Sequence, residues 1–304
     1  MSGHQQDDSS VADQSKFGFS RLIKQAVKKM ILYIILIVAG TYLALTVMLF
    51  FFQERMIFVP GRKVFATPAS YKIDFEDLYL KTDTGATINA WYVPAKDAKY
   101  TVLFCHGNAG NIANRLETAV FYHNNGYNFM VFDYPGYGKS TGKPSDKGLL
   151  SASDMAWKYL TETRKIDSKS IIVVGRSLGG SAASYLAAKY DPAMLCLEAT
   201  FVSVKEAAKD VVPFLPVGLI CRVHLPTGEN LKKVKCPVLL IHSPHDEVIN
   251  YRHGERLFKI APEPKEFHTL KGGHNDCWFI DQSRYAEIFK DFIDKYVDKS
   301  QVDG

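Results

Sequence analysis

From residue 73 onward the chain keeps returning to one pattern, a short and nearly continuous apolar run followed by a stretch of helical spacing. The runs are IDFEDLYL (73–80), ATINAWYV (86–93), YTVLFCH (100–106), YNFMVFD (127–133), SIIVVGR (170–176), AMLCLEA (193–199), CPVLLIHS (236–243) and KEFHTL (265–270). Apolar strands separated by helices can bury both faces only in a mostly parallel sheet with helices on each side, so the pattern predicts an α/β fold. The first two runs flank Asp83-Thr84-Gly85, a turn signal that predicts a hairpin. In such sheets reactive groups collect beyond the carboxyl ends of the strands.

At one of those ends the chain reads Gly175-Arg176-Ser177-Leu178-Gly179-Gly180 and then turns helical in SAASYLAAKY. G-x-S-x-G between strand and helix predicts a nucleophile elbow, a sharp turn that strains Ser177 and presents its hydroxyl at a helix N-terminus. A serine hydroxyl is a weak nucleophile at neutral pH and needs a base held by a third group. Two later strand ends supply them. Pro244-His245-Asp246-Glu247 follows CPVLLIHS, and Gly272-Gly273-His274-Asn275-Asp276 follows KEFHTL. The order Ser177, Asp246, His274 suits this arrangement, with His274 as general base and Asp246 fixing its tautomer. Glu198 and Glu247 are rival acids; Asp246 is preferred because it follows directly the strand before the histidine strand.

An acyl-transfer site must also stabilise an oxyanion. The backbone N–H of Leu178, next after the nucleophile, is one expected donor. The other is expected through Asn108, in the loop His106-Gly107-Asn108-Ala109-Gly110-Asn111 that follows YTVLFC. Other motifs lead elsewhere. His242-x-x-His245-Asp246 has metal-like spacing but lacks a third ligand, so no metal site is expected. Gly138-Lys139-Ser140 lacks the glycine a phosphate loop requires five positions earlier, where Asp133 stands, so no nucleotide is expected either. Tyr134-Pro135-Gly136-Tyr137-Gly138 reads as a tight loop shaping the site beside the elbow. His123, His224, His253 and His268 read as surface or packing residues, and no cofactor is called for.

Ahead of this pattern, Met30 to Phe52 forms 23 residues without a charge. As a helix the stretch covers about 34 Å against about 30 Å of hydrocarbon, and its 29-residue leader and missing cleavage site suit an uncleaved anchor in a lipid bilayer. Lys16, Arg21, Lys24, Lys28 and Lys29 precede it and Arg55, Arg62 and Lys63 follow, which places the N-terminus in the cytoplasm and the folded domain on the opposite side. Residues 1–29 are expected to be a polar and basic tail, disordered over 1–15.

Composition closes off other classes. Of 304 residues, 47% are hydrophobic and 23% charged, the balance of a globular protein. The formal charge is +5, but residues 1–63 carry eight Lys and Arg against four Asp and Glu, leaving the rest nearly neutral. No basic stripe for nucleic acid is present. Cys105, Cys196, Cys221, Cys236 and Cys277 show no paired or metal-type spacing. Cys105 and Cys196, inside strand runs, read as small core hydrophobes.

HGNAGN, DYPGYGKSTGKPS, GRSLGG, the D-E-V-I loop and GGHND together resemble the α/β-hydrolase superfamily, specifically its single-pass membrane branch, over roughly residues 50–300. The resemblance implies Ser177, Asp246 and His274 as triad, with Asn108 and Leu178 at the oxyanion hole. A related branch removes palmitate from membrane-bound proteins and carries an N-terminal cysteine cluster, where this chain has its apolar span. The expected organisation is a tail (1–29), an anchor (30–52) and an α/β-hydrolase domain (64–298) with a small cap around 200–231. The cap's apolar residues suit either a helix face packed on the core or a lid over an acyl pocket. The expected function is hydrolysis of an ester or thioester of a lipid-like or acylated substrate. A serine peptidase and a non-catalytic membrane-bound binding protein are the alternatives.

Overall fold

The computed structural model describes residues 8–298. The chain divides into two compact units, Met1–Phe51 and Phe52–Gly304. The first is built on helix α1 (Asp8–Ile57), which runs on into the second. From Arg21 to Ile57 this helix is long and apolar enough to cross a membrane. Leu32, Ile35, Leu36 and Leu43 are all exposed on it, as lipid-facing side chains would be. The disorder expected over 1–15 is corrected for part of that range, because the helix already begins at Asp8. Once a long apolar helix is nucleated, each added residue gains a backbone hydrogen bond without a new nucleation cost. Residues 1–7 lie outside the described residues.

Among the described residues the second unit holds eight strands, each within its predicted run except the first, which ends one residue later: β1 (Glu76–Lys81), β2 (Thr87–Val93), β3 (Thr101–Cys105), β4 (Asn128–Phe132), β5 (Ile171–Arg176), β6 (Met194–Glu198), β7 (Val238–His242) and β8 (Lys265–Thr269). They form one sheet in the order β1-β2-β4-β3-β5-β6-β7-β8. The β1–β2 hairpin turns through Gly85, whose φ of +84° needs glycine, and pairs antiparallel with β4; from β4 to β8 every pairing is parallel. Strands β3 to β7 are buried throughout, apart from the first residue of β4.

Between and after the strands lie α2 (Leu116–Asn124), α3 (Asp146–Lys158), α4 (Gly179–Tyr190), α5 (Val204–Val211), α6 (Val217–Ile220), α7 (Thr227–Leu231), α8 (Arg252–Ile260), α9 (Cys277–Ile280) and α10 (Gln282–Phe292). Strand alternation divides the core in two. Val102 and Phe104 of β3 join the cluster capped by Phe121, Tyr122 and Phe289, from α2 and α10. Leu103 and Cys105 join the cluster of Leu149, Leu186 and Leu257, from α3, α4 and α8.

The region 200–231 satisfies neither single expectation for its apolar residues. Phe201, Leu215, Val217 and Leu231 are buried, while Val211, Phe214 and Leu219 are 75%, 65% and 88% exposed. One part of the cap is core and another faces outward.

Candidate active site

Strand β5 ends at Arg176, and Ser177 then adopts φ +54°, a left-handed conformation that a serine accepts only at a cost of about 1–3 kcal/mol. Its surroundings hold it there. Ser177 N–H donates to the Glu198 carbonyl (2.9 Å), and the Ser177 carbonyl accepts from Gly180 N–H (3.0 Å) and from Thr200 Oγ1 (2.7 Å). The turn is possible because α4 starts almost on top of β3. A Cβ at Gly179 would lie 1.9 Å from the Cys105 carbonyl oxygen, and one at Gly180 would lie 2.2 Å from Thr200 Oγ1.

Ser177 Oγ lies 3.0 Å from His274 Nε2, and His274 Nδ1 lies 2.7 Å from Asp246 Oδ2. A carboxylate only accepts, so Nδ1 carries the hydrogen and Nε2 presents a lone pair to the hydroxyl. The three side chains expected to meet from 97 and 28 residues apart do meet.

The Asp246 side chain is completely buried, and burial by itself would raise its pKa. Hydrogen bonds from His242, His274 and the Ile249 N–H outweigh that and hold the carboxyl well below the usual carboxylate range. Its Oδ1 accepts from the N–H groups of Val248 (2.9 Å) and Ile249 (2.7 Å).

The rival acids have other tasks. Glu198 is bound by Arg176 Nε (2.6 Å) and Tyr285 Oη, a buried group behind the elbow with the Arg176 guanidinium over the Trp278 ring. Glu247 Oε2 accepts the backbone N–H of His274 (3.0 Å) and so clamps the loop that carries the imidazole. His242, set aside in the sequence with His245, is a part of the site that sequence reasoning missed. Its Nε2 donates to the Ile249 carbonyl (2.9 Å) and to Asp246 Oδ2 (3.1 Å). Only its place four residues before Asp246 could have signalled that role.

Helix α4 has no side-chain cap at its N-terminus, and Leu178 N–H has no partner among the described residues. Asn108 N–H likewise has none. The Asn108 side-chain oxygen is occupied, accepting from Val59 N–H (2.9 Å) and Tyr137 Oη (2.9 Å), so the donor this residue can offer is its main-chain N–H. A Cβ at Gly107 would stand 3.5 Å from Ser177 Cβ, which places this loop against the serine. Uncommitted N–H groups beside a strained serine and its base are the parts an acyl-transfer site requires.

Among the described residues no group of three or more His, Cys, Asp or Glu is placed to hold a metal ion. The cysteines are free; burial pushes the Cys277 thiol up to about 11 and the Cys236 thiol up to about 12, which makes them poor nucleophiles.

A family profile described as alpha/beta hydrolase fold matches residues 100–216. The chain is 30% identical over 285 residues to alpha/beta hydrolase domain-containing protein WAV2 of Arabidopsis thaliana, covering 84% of this chain and 92% of that protein. It is 31% identical over 260 residues to an uncharacterized membrane protein of Saccharomyces cerevisiae, covering 81% and 90%. Among solved structures, the esterase Pf2001 of Pyrococcus furiosus superposes with a TM-score of 0.68 at 17% identity, covering 79% of this chain and 98% of that one.

Proposed function

This chain belongs to the α/β-hydrolase family, and on that basis we propose that it is a membrane-anchored serine hydrolase that cleaves ester or thioester bonds by acyl transfer to water. The observation that carries the reading is the Ser177–His274–Asp246 chain, 3.0 Å and 2.7 Å long at its two links, with the imidazole in the tautomer that accepts a proton. Ser177 Oγ attacks the acyl carbonyl as His274 Nε2 takes its proton. The tetrahedral oxyanion is held by the N–H groups of Leu178 and Asn108, and His274 returns the proton to the departing alkoxide or thiolate. Water, deprotonated by the same imidazole, then releases the acyl group from Ser177.

A lipid-like substrate is supported by the outward apolar side chains of the cap, Val211, Phe214 and Leu219, and by the apolar span at residues 30–52, which we assign as a bilayer anchor. The solved neighbour named as an esterase fits an ester substrate. A fluorophosphonate probe should label the full chain in detergent or membranes at Ser177, with turnover of p-nitrophenyl esters or acyl thioesters, and Ser177→Ala should abolish both. Undiminished labelling of Ser177→Ala would overturn the assignment.

A further inference from the structure

The last residues of α1 and the chain leaving it do not simply link helix to domain. Residues 53–63, ahead of the expected domain start at 64, run as a strap through the second unit. At its head Gln53 is buried; its Nε2 donates to the Ile220 carbonyl (3.1 Å) and its Oε1 accepts from Arg222 N–H (2.6 Å) and Val223 N–H (3.3 Å), all in the cap. Phe58 is buried in the core. Beyond it the strap lies along the loop 106–111. Val59 N–H donates to Asn108 Oδ1, Gly110 N–H donates to the Val59 carbonyl (3.3 Å), and Gly61 N–H donates to the Gly110 carbonyl (2.8 Å). The approach is so close that a Cβ on Gly61 would stand 3.0 Å from Gly110 Cα. The far side of the strap is held too, by Gly138 N–H on the Gly61 carbonyl (2.8 Å) and by Asn111 Nδ2 on the carbonyls of Gly61 and Lys63.

We propose that this strap positions the oxyanion loop, with the Asn108 side chain as the positioning group and Val59 N–H and Tyr137 Oη as the two donors that fix it. An amide oxygen has two lone pairs, and both are used here. With the side chain pinned from two directions, one in the strap and one in the buried loop 134–138, the plane of the Asn108 main chain is set before substrate arrives. A preorganised donor is worth more to a developing oxyanion than one that must first reorient. Neither Val59 nor Tyr137 touches the reacting atoms in this scheme; both act through Asn108. The inference rests on the serine-hydrolase reading above.

The test compares wild-type full chain with Tyr137→Phe, which removes one hydroxyl from a buried ring, and with Val59→Pro, which removes the strap N–H. The readouts are kcat, KM and affinity for an alkyl trifluoromethyl ketone, whose adduct with Ser177 bears an oxyanion. Each variant should lose about 10-fold in kcat and in ketone affinity with KM within twofold, less than the 100-fold or more typical of losing a donor outright. A Tyr137→Phe protein that keeps kcat and ketone affinity within twofold of wild type overturns the proposal, as does a change confined to KM. Should Val59→Pro fail to fold, Tyr137→Phe decides alone. Wild type that neither turns over esters nor captures the ketone at Ser177 overturns the hydrolase reading itself, and this inference with it.

Discussion

At the scale of single residues, the site rests on how many partners each charged or polar group has. Asp246 is the extreme case, with four hydrogen bonds on one buried carboxylate. Asp246→Asn removes its charge and lets the amide favour the wrong imidazole tautomer, so kcat should fall about 10³- to 10⁴-fold with KM little changed, read from steady-state kinetics. The same group sets a pH dependence of stability. Its folded pKa lies below the unfolded value, so its contribution is fully present above the unfolded pKa of about 3.9 and is lost as pH falls through the folded one. Urea midpoints of wild type should therefore drop on acidification below about pH 4, and those of Asp246→Asn should drop less. The supporting residues were not legible in sequence for a physical reason. Glu247 works through a backbone N–H 27 residues away and Tyr137 through an amide 29 residues away, and no local pattern encodes such pairs. Ser177, Asp246 and His274 could be read because each follows a strand, where the sheet itself brings them together.

Secondary-structure elements meet most tightly at the crossing of β5, α4 and β3. Gly175 and Gly179 let the helix lie against the strand ends, since a Cβ on Gly175 would stand 2.5 Å from Ala183 Cβ and from the Gly179 carbonyl oxygen. Gly179→Ala should displace α4 from β3 and cost about 1–3 kcal/mol, seen as a fall in Tm of about 2–4 °C per kcal/mol, together with loss of fluorophosphonate labelling. Such contacts explain why the strands were legible and the cap was not. A strand buried on both faces, such as β3 or β5, has an unbroken apolar run that helices rarely share in so short a span. In the cap, Leu215 and Leu219 are four residues apart and equally apolar, yet one is buried and the other is 88% exposed. Spacing reports that a face exists, and only the neighbours determine which face is covered.

For the whole molecule, the second unit takes in the chain from its first residues, since Gln53 and Phe58 are both buried within it and Phe58 belongs to the core. On the orientation we propose from the basic leader, with the N-terminus cytoplasmic, protease added to sealed membrane vesicles with the cytoplasmic face outward should remove an N-terminal tag and leave the domain intact. Digestion of the domain instead would reverse the orientation. Arg62 and Lys63, both exposed, lie just downstream of Val59. A trypsin-like cut at that dibasic pair would leave the domain tied to the proposed anchor only by non-covalent contacts, those of Gln53, Phe58 and Val59. Were those contacts then to let go, release and loss of the Val59 N–H would be one step, and the freed domain would keep Tyr137 on Asn108 but turn over about 10-fold more slowly than the tethered form.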